Sequence, residues 1–248
     1  REGRVTALRW SLQLVGERVG QGFKPNVARD QEGAAIIDHY EALIGNQSSP
    51  KTPYQQLLSR LFDVLGAVGM LRPAMHYRWN FPEENLALLK FHFQSAIPRG
   101  AGRSEKADKA TNRMRAAGVG FGVVPETFSL VEDLYGEWLM RLNAHFAAYP
   151  YLFGGKPSIG DFGMIAPLYG HLGRDPKPLA LMQANGVQLY RWVERMNRPE
   201  LDIGEFEDQS GDYLWEDEIP DTLIGLLRQI AIDFVPETAL LQPALING

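Results

Sequence analysis

One helix start constrains this chain more than any other feature. It lies in Tyr149-Pro-Tyr-Leu-Phe-Gly-Gly-Lys-Pro-Ser-Ile-Gly-Asp-Phe162. A turn rich in proline and glycine ends at Ser158, and an apolar run follows. Ser158 and Asp161 have the S-x-x-D spacing of a capping box. The serine oxygen can accept from the backbone N–H three residues on. The Asp161 carboxylate can reach back to the N–H of Ser158, and it sits at the positive end of the helix. Beyond the box come Phe162, Met164, Ile165, Leu168, Tyr169 and Leu172, with almost no charge before Arg174 and Asp175. A helix that is apolar on most sides is buried on most sides. The spacing therefore predicts a central core helix with its first residue fixed, and Pro167 predicts a kink within it.

Apolar spacing elsewhere is also helical. Val5, Leu8, Leu12 and Val15 mark a helix over residues 4–18, with Ser11 an exposed residue inside it. Residues 20–31 hold little regular structure. Ile36, Ile37, Tyr40 and Leu43 form the next helical face. After a linker over residues 47–53, Leu57, Leu58, Leu61, Phe62, Leu65, Val68 and Leu71 mark a long helix that Pro73 ends or kinks. Pro82 opens another, with Glu83 and Glu84 in its first turn. Ser104 reads as the cap of a charged helix over residues 105–117. Residues 125–149 form a second long amphipathic helix. Shorter helices follow at residues 177–185, stopped by Gly186, and at residues 188–197. Residues 198–218 read as acidic and irregular, and a last helix begins after Pro220. With some seven helices after residue 47 and no convincing strand, the fold class is an all-α bundle.

Composition excludes several kinds of chemistry. The chain has 248 residues and no cysteine, so disulfides, thiolate metal sites and cysteine nucleophiles are absent. Its five histidines, His39, His76, His92, His145 and His171, include no pair at the i,i+4 spacing of a zinc helix. A net charge of −5 argues against a nucleic-acid partner. No apolar stretch is long enough to span a membrane and no signal-peptide pattern opens the chain, so no membrane partner and a cytoplasmic location are expected. Gly118-Val-Gly-Phe-Gly122 lacks the Lys-Ser/Thr ending of a phosphate loop and reads as a turn.

The passage from Tyr151 through Ser158 and Asp161 resembles the all-helical C-terminal domain of the glutathione transferase family. The likeness extends through Pro167-Leu-Tyr-Gly-His-Leu172 and Val187-Gln-Leu-Tyr-Arg-Trp-Val-Glu-Arg-Met196. That family carries a G-x-x-x-S-x-x-D box at the start of a buried helix and a W-x-x-R-M helix after it. The resemblance covers residues 50–235. Earlier in the chain, Glu32 followed by Ala34-Ala-Ile-Ile-Asp-His-Tyr-Glu41 is similar to the end of the family's thioredoxin-like domain. There an acidic residue, a hydroxyl and a helix N-terminus bind the γ-glutamyl carboxylate of glutathione, and a helix N-terminus offers free N–H groups to an anion. Gly33 stands where the hydroxyl belongs.

The resemblance implies two regions. Residues 47–248 are a glutathione transferase C-terminal-like helical domain. Residues 1–46 are an incomplete thioredoxin-like segment, because a whole domain of that kind needs about 80 residues. The chain opens at Arg1 and not at methionine, so the family's first strand and its thiol-activating residue are expected upstream of it. Glu32, Gly33 and Ala34 are the implied glutathione-binding residues. Tyr77, Arg78 and Trp79 are the candidate pocket for a small hydrophobic electrophile, with aromatics to stack on it and a cation to meet a carboxylate. The alternative for these three is simple packing at the end of a helix. The implied activity is conjugation or removal of glutathione, as co-substrate, by a homodimer. The competing reading is a non-catalytic binding or dimerisation scaffold, favoured by Gly33 and by the shortened first region.

Overall fold

The computed structural model describes residues 37, 41–43, 45 and 47–236. The helix expected over residues 4–18, Ser11 and the run Glu32-Gly33-Ala34 lie outside the described residues. Ile37 and residues 41–43 of the following expected helix are helical. Among the described residues the protein is all-α, with two isolated β-bridges, Tyr151 to Gly154 and Gly154 to Tyr213, and no strand.

The bundle opens with α1 (Pro53–Val64). Proline stands at its first position, where no N–H is needed, and Thr52 caps it by accepting from the Gln55 N–H at 3.3 Å. A π-helical turn, Leu65–Gly69, leads into α2 (Leu71–Trp79). The break expected at Pro73 thus falls earlier. Pro73 itself sits in the first turn of α2, where its missing N–H costs nothing. Next come α3 (Pro82–Ser95) and α4 (Arg103–Ala116). Ser104 does not cap α4. The N-cap is Gly102, at φ +73°, and the left-handed turn it allows reverses the chain between the two helices. Arg103 then donates from Nε to the carbonyls of Gln94 and Ile97, closing the end of α3. Short 3-10 turns lead to α5 (Phe128–Ala148). The chain continues through α6 (Ile159–Pro167), a second π-helical turn (Leu168–Leu172), α7 (Pro176–Asn185), α8 (Val187–Met196) and α9 (Asp221–Asp233).

Helix α6 is the centre. Ile159, Met164, Ile165, Leu168 and Leu172 are each at most 2% exposed. The predicted kink takes the form of the π turn directly after Pro167. The wider i→i−5 spacing follows the point where the proline ring crowds the preceding turn. The tightest packing is between α6 and α1. A Cβ on Gly163 would overlap the backbone of Asp63, and a Cβ on Gly66 would overlap the carbonyl of Gly163. A Cβ on Gly160 would stand 2.8 Å from the Ser59 carbonyl oxygen. The Gly160 N–H donates to the Ser59 hydroxyl at 3.0 Å. Gly163 therefore serves the contact with α1 and not a relaxation around Pro167.

This contact sets the phase of α1. Gln55, Leu58, Ser59, Phe62 and Asp63 face inward, while Tyr54, Leu57 and Val64 are exposed. Around α6 one large apolar cluster joins α1, α2, α5, α8 and α9, with Phe146 stacked on Trp192 at 4.7 Å between ring centroids. A second, small cluster of Met75, Trp79, Leu89 and Val123 seats α3 against α2.

Candidate functional site

The capping box closes as its spacing requires. Asp161 accepts from the Ser158 N–H and hydroxyl, both at 2.8 Å. The same carboxylate accepts from the Leu152 N–H at 3.0 Å and from Trp192 Nε1 at 3.2 Å. It therefore ties the preceding loop, the start of α6 and α8 to one point. Complete burial pushes the Asp161 carboxyl up to about 6, against the pull of its four donors. With every acceptor direction used inside the fold, Asp161 has no capacity left for a ligand.

The W-x-x-R-M pattern is equally structural. Trp192 meets Asp161, Met196 joins the core, and Arg195 is 1% exposed. Arg195 donates to the carbonyls of Asp202 at 2.7 Å and Pro150 at 2.9 Å, and pairs with Glu205. Arg191 bonds Asp202 and Glu205, and Arg198 bonds Asp202. Three arginines thus fasten the acidic segment after α8.

The candidate pocket residues Tyr77, Arg78 and Trp79 do not converge. Successive helical residues point about 100° apart, so three in a row cannot face one cleft. Tyr77 is buried in the large cluster, stacked on Phe81 and tilted against Tyr135. Burial, with Glu132 and Asp133 nearby, pushes its hydroxyl up to about 12, which keeps it a neutral phenol. Trp79 belongs to the small cluster. Arg78 grips Asp175 with two bonds, at 2.6 and 3.0 Å, and donates to the Gly170 carbonyl at 3.2 Å. A planar guanidinium so engaged locks the loop after the second π turn.

The histidines divide by partner. Asn80 Nδ2 lies 2.9 Å from His76 Nδ1, so the ring accepts there and its Nε2–H donates to Glu132 at 2.8 Å. His145 sits between the Thr222 hydroxyl and the Tyr151 carbonyl, and full burial lowers it to about 4. His171 is also lowered to about 4, by burial and by Arg78 beside it. Both are neutral near pH 7. No group of three or more His, Asp or Glu among the described residues is arranged to hold a metal ion. No helix among them is long and apolar enough to cross a membrane.

An open cleft lies elsewhere. A cavity of about 330 Å³ is lined by Ser49, Pro53, Gln56, Leu57, Ser59, Arg60 and Ile159, between the start of α1 and the start of α6. It adjoins Ser48. There the Ile159 N–H donates to the Ser48 carbonyl, and Glu41 accepts from both the N–H and the hydroxyl of Ser48 at 2.7 Å. Leu57, 66% exposed, stands at its rim. Periodicity alone placed Leu57 on the buried face of its helix. The glycines of α6 were the signal to the contrary, because their close approach demands Ser59 and Asp63 opposite them and turns Leu57 outward. Glu32, Gly33 and Ala34 belong to the residues not described.

Compared with family models, curated proteins and solved structures, the chain matches none.

Proposed function

We propose that the chain is a glutathione transferase-like protein. In this reading its helical bundle offers a cleft of mixed lining, with Pro53, Leu57 and Ile159 as its apolar part, to a small hydrophobic electrophile, and Glu32, Gly33 and Ala34 receive the γ-glutamyl carboxylate of glutathione. The observation that carries the reading is the cavity between α1 and α6. It is of ligand size and lies beside Ser48, which bonds both Glu41 and the first residue of α6. Its apolar rim, Leu57 and Pro53, suits an apolar substrate. The bundle's contribution to the reaction is placement, holding an electrophilic carbon beside a thiolate. The thiolate sulfur forms the new bond, the leaving group departs with its electron pair, and the thiol proton goes to solvent. This site replaces Tyr77, Arg78 and Trp79, whose side chains are spent on packing and on Asp175. A cytoplasmic homodimer is the state that fits this reading.

A second reading, a non-catalytic scaffold, is favoured by one specific fact. The ionisable side chains Asp161, Arg195 and Arg78, which carry the family resemblance or were its candidate site, are all engaged within the fold. Retention on immobilised glutathione separates the two. The transferase reading expects retention and conjugation of an activated aryl halide, slowed because the thioredoxin-like segment is incomplete. It also expects Leu57→Arg to raise KM for the halide while retention persists. A folded chain that flows through the column without delay leaves the scaffold.

A further inference from the structure

The acidic segment after α8 holds its only tryptophan out in solvent on a pinned turn. Trp215 is 77% exposed. Both sides of its turn are anchored to the bundle. The buried Tyr213 hydroxyl shares its one proton between the carbonyls of Gln47 at 3.1 Å and Pro157 at 3.0 Å. The Leu214 N–H donates to the Phe153 carbonyl at 2.9 Å. On the far side, Gln55 of α1, 1% exposed, donates to the Glu218 carbonyl at 3.1 Å. The Glu218 N–H closes the turn onto the Trp215 carbonyl at 3.0 Å. Between them Glu216 has φ +46°, the one positive φ outside glycine among the described residues. A non-glycine residue held there stores strain, and such strain gathers where function over-determines the backbone. A large aromatic already fixed in place loses little entropy on docking, and tryptophan is prominent among interface anchors. Glu216, Asp217 and Glu218 around it are exposed and form no ion pair among the described residues. A basic surface with apolar gaps between its charges complements such a turn.

The chain carries a surface of that chemistry. Helix α4 reads RSEKADKATNRMRA, five cations against two carboxylates, in a chain of net charge −5. Lys106, Lys109 and Arg113 recur at helical spacing on one face and form no ion pair among the described residues. Ala107 is the only buried residue of the helix, and Met114 and Val119 beyond these charges are 46% and 66% exposed. Because Trp215 is uncovered and these cations are unpaired, the two surfaces do not meet within one molecule.

We propose that the Trp215 turn docks on the basic face of α4 of a second copy of this chain, head to tail. The contact uses two different surfaces, so each molecule keeps one of each free and assembly continues past two. It is steered by charge, so salt weakens it. The contact is independent of the transferase reading.

Sedimentation velocity of the full chain tests it, over a range of concentrations and between about 0.02 and 0.5 M salt. At low salt the mass grows with concentration, and the association weakens about tenfold or more at the high end. Trp215→Ala abolishes growth, and so does the triple variant Lys106→Glu, Lys109→Glu, Arg113→Glu. Circular dichroism confirms that each variant is folded. The two variants each keep one surface, so mixing them restores a 1:1 complex that grows no further. A chain that remains monomeric at low salt overturns the proposal. Growth with concentration that both variants retain overturns it too, and so does a salt-insensitive homodimer that grows no further.

Discussion

At the scale of the residue, Asp161 shows how much a single carboxylate can hold. Its four donors come from a loop, a helix N-terminus and α8. Removing it does more than delete a cap. Asp161→Ala leaves the Leu152 N–H, the Ser158 N–H and the Trp192 Nε1–H buried without acceptors, each costing about 1–3 kcal/mol. The expected loss is about 3 kcal/mol or more, well above the ~1 kcal/mol of an ordinary cap. A urea midpoint measured on the variant checks it. A loss near 1 kcal/mol would mean that the loop and α8 stay in place without the carboxylate. Asp161→Asn keeps one oxygen as acceptor and should fall between the two.

At the scale of the element, contacts between helices decide what their sequences leave open. The periodicity of residues 57–71 gives helical structure but not the π-helical turn at Leu65–Gly69 that breaks it, whereas Ser158 and Asp161 give the start of α6 to the residue. Helix phase was less legible, because the exposed Leu57, Val64 and Val68 recur as regularly as the residues that are buried. Gly160, Gly163 and Gly66 resolve it through a backbone contact, which hydrophobic spacing does not register. The same limit hid the cleft, since its lining combines the start of α1 with Ile159, about a hundred residues away. Tyr77, Arg78 and Trp79 looked like a site because they are adjacent in sequence, but adjacent helical residues diverge in space. Two substitutions separate these roles of glycine. Gly163→Ala drives a methyl into the Asp63 backbone and should cost about 2 kcal/mol or more by forcing α1 and α6 apart. Gly136→Ala, in the middle of α5 with nothing near its new methyl, should stabilise by about 0.5–1 kcal/mol. Thermal denaturation of the pair reads both signs, and equal effects would contradict the close contact.

At the scale of the whole molecule, buried ionisable groups set how stability depends on pH, and they pull in opposite directions. Asp161 titrates near 3.8 in an unfolded chain and at about 6 in the fold. Between those values the folded protein holds the extra proton, so this group's contribution is full at low pH and is lost as pH rises through 6. His145 and His171 titrate near 6.5 when unfolded and at about 4 when folded. Between those values the unfolded chain holds the extra protons, so their contribution is full above 6.5 and is lost as pH falls towards 4. His92, lowered by its partial burial and by Arg174, acts with them. Two strongly shifted histidines outweigh one carboxyl shifted by a similar amount. Stability should therefore rise between pH 4 and 7 by a net amount on the order of 3 kcal/mol. Urea midpoints across that range measure the slope. Asp161→Asn removes the opposing group and should make the rise steeper, even though the variant is less stable at every pH. His145→Gln, a neutral side chain in the same buried place, should make it shallower. A midpoint that falls from pH 4 to 7 would mean that the Asp161 carboxyl dominates and that His171 takes up its proton in the folded bundle despite Arg78 at its side.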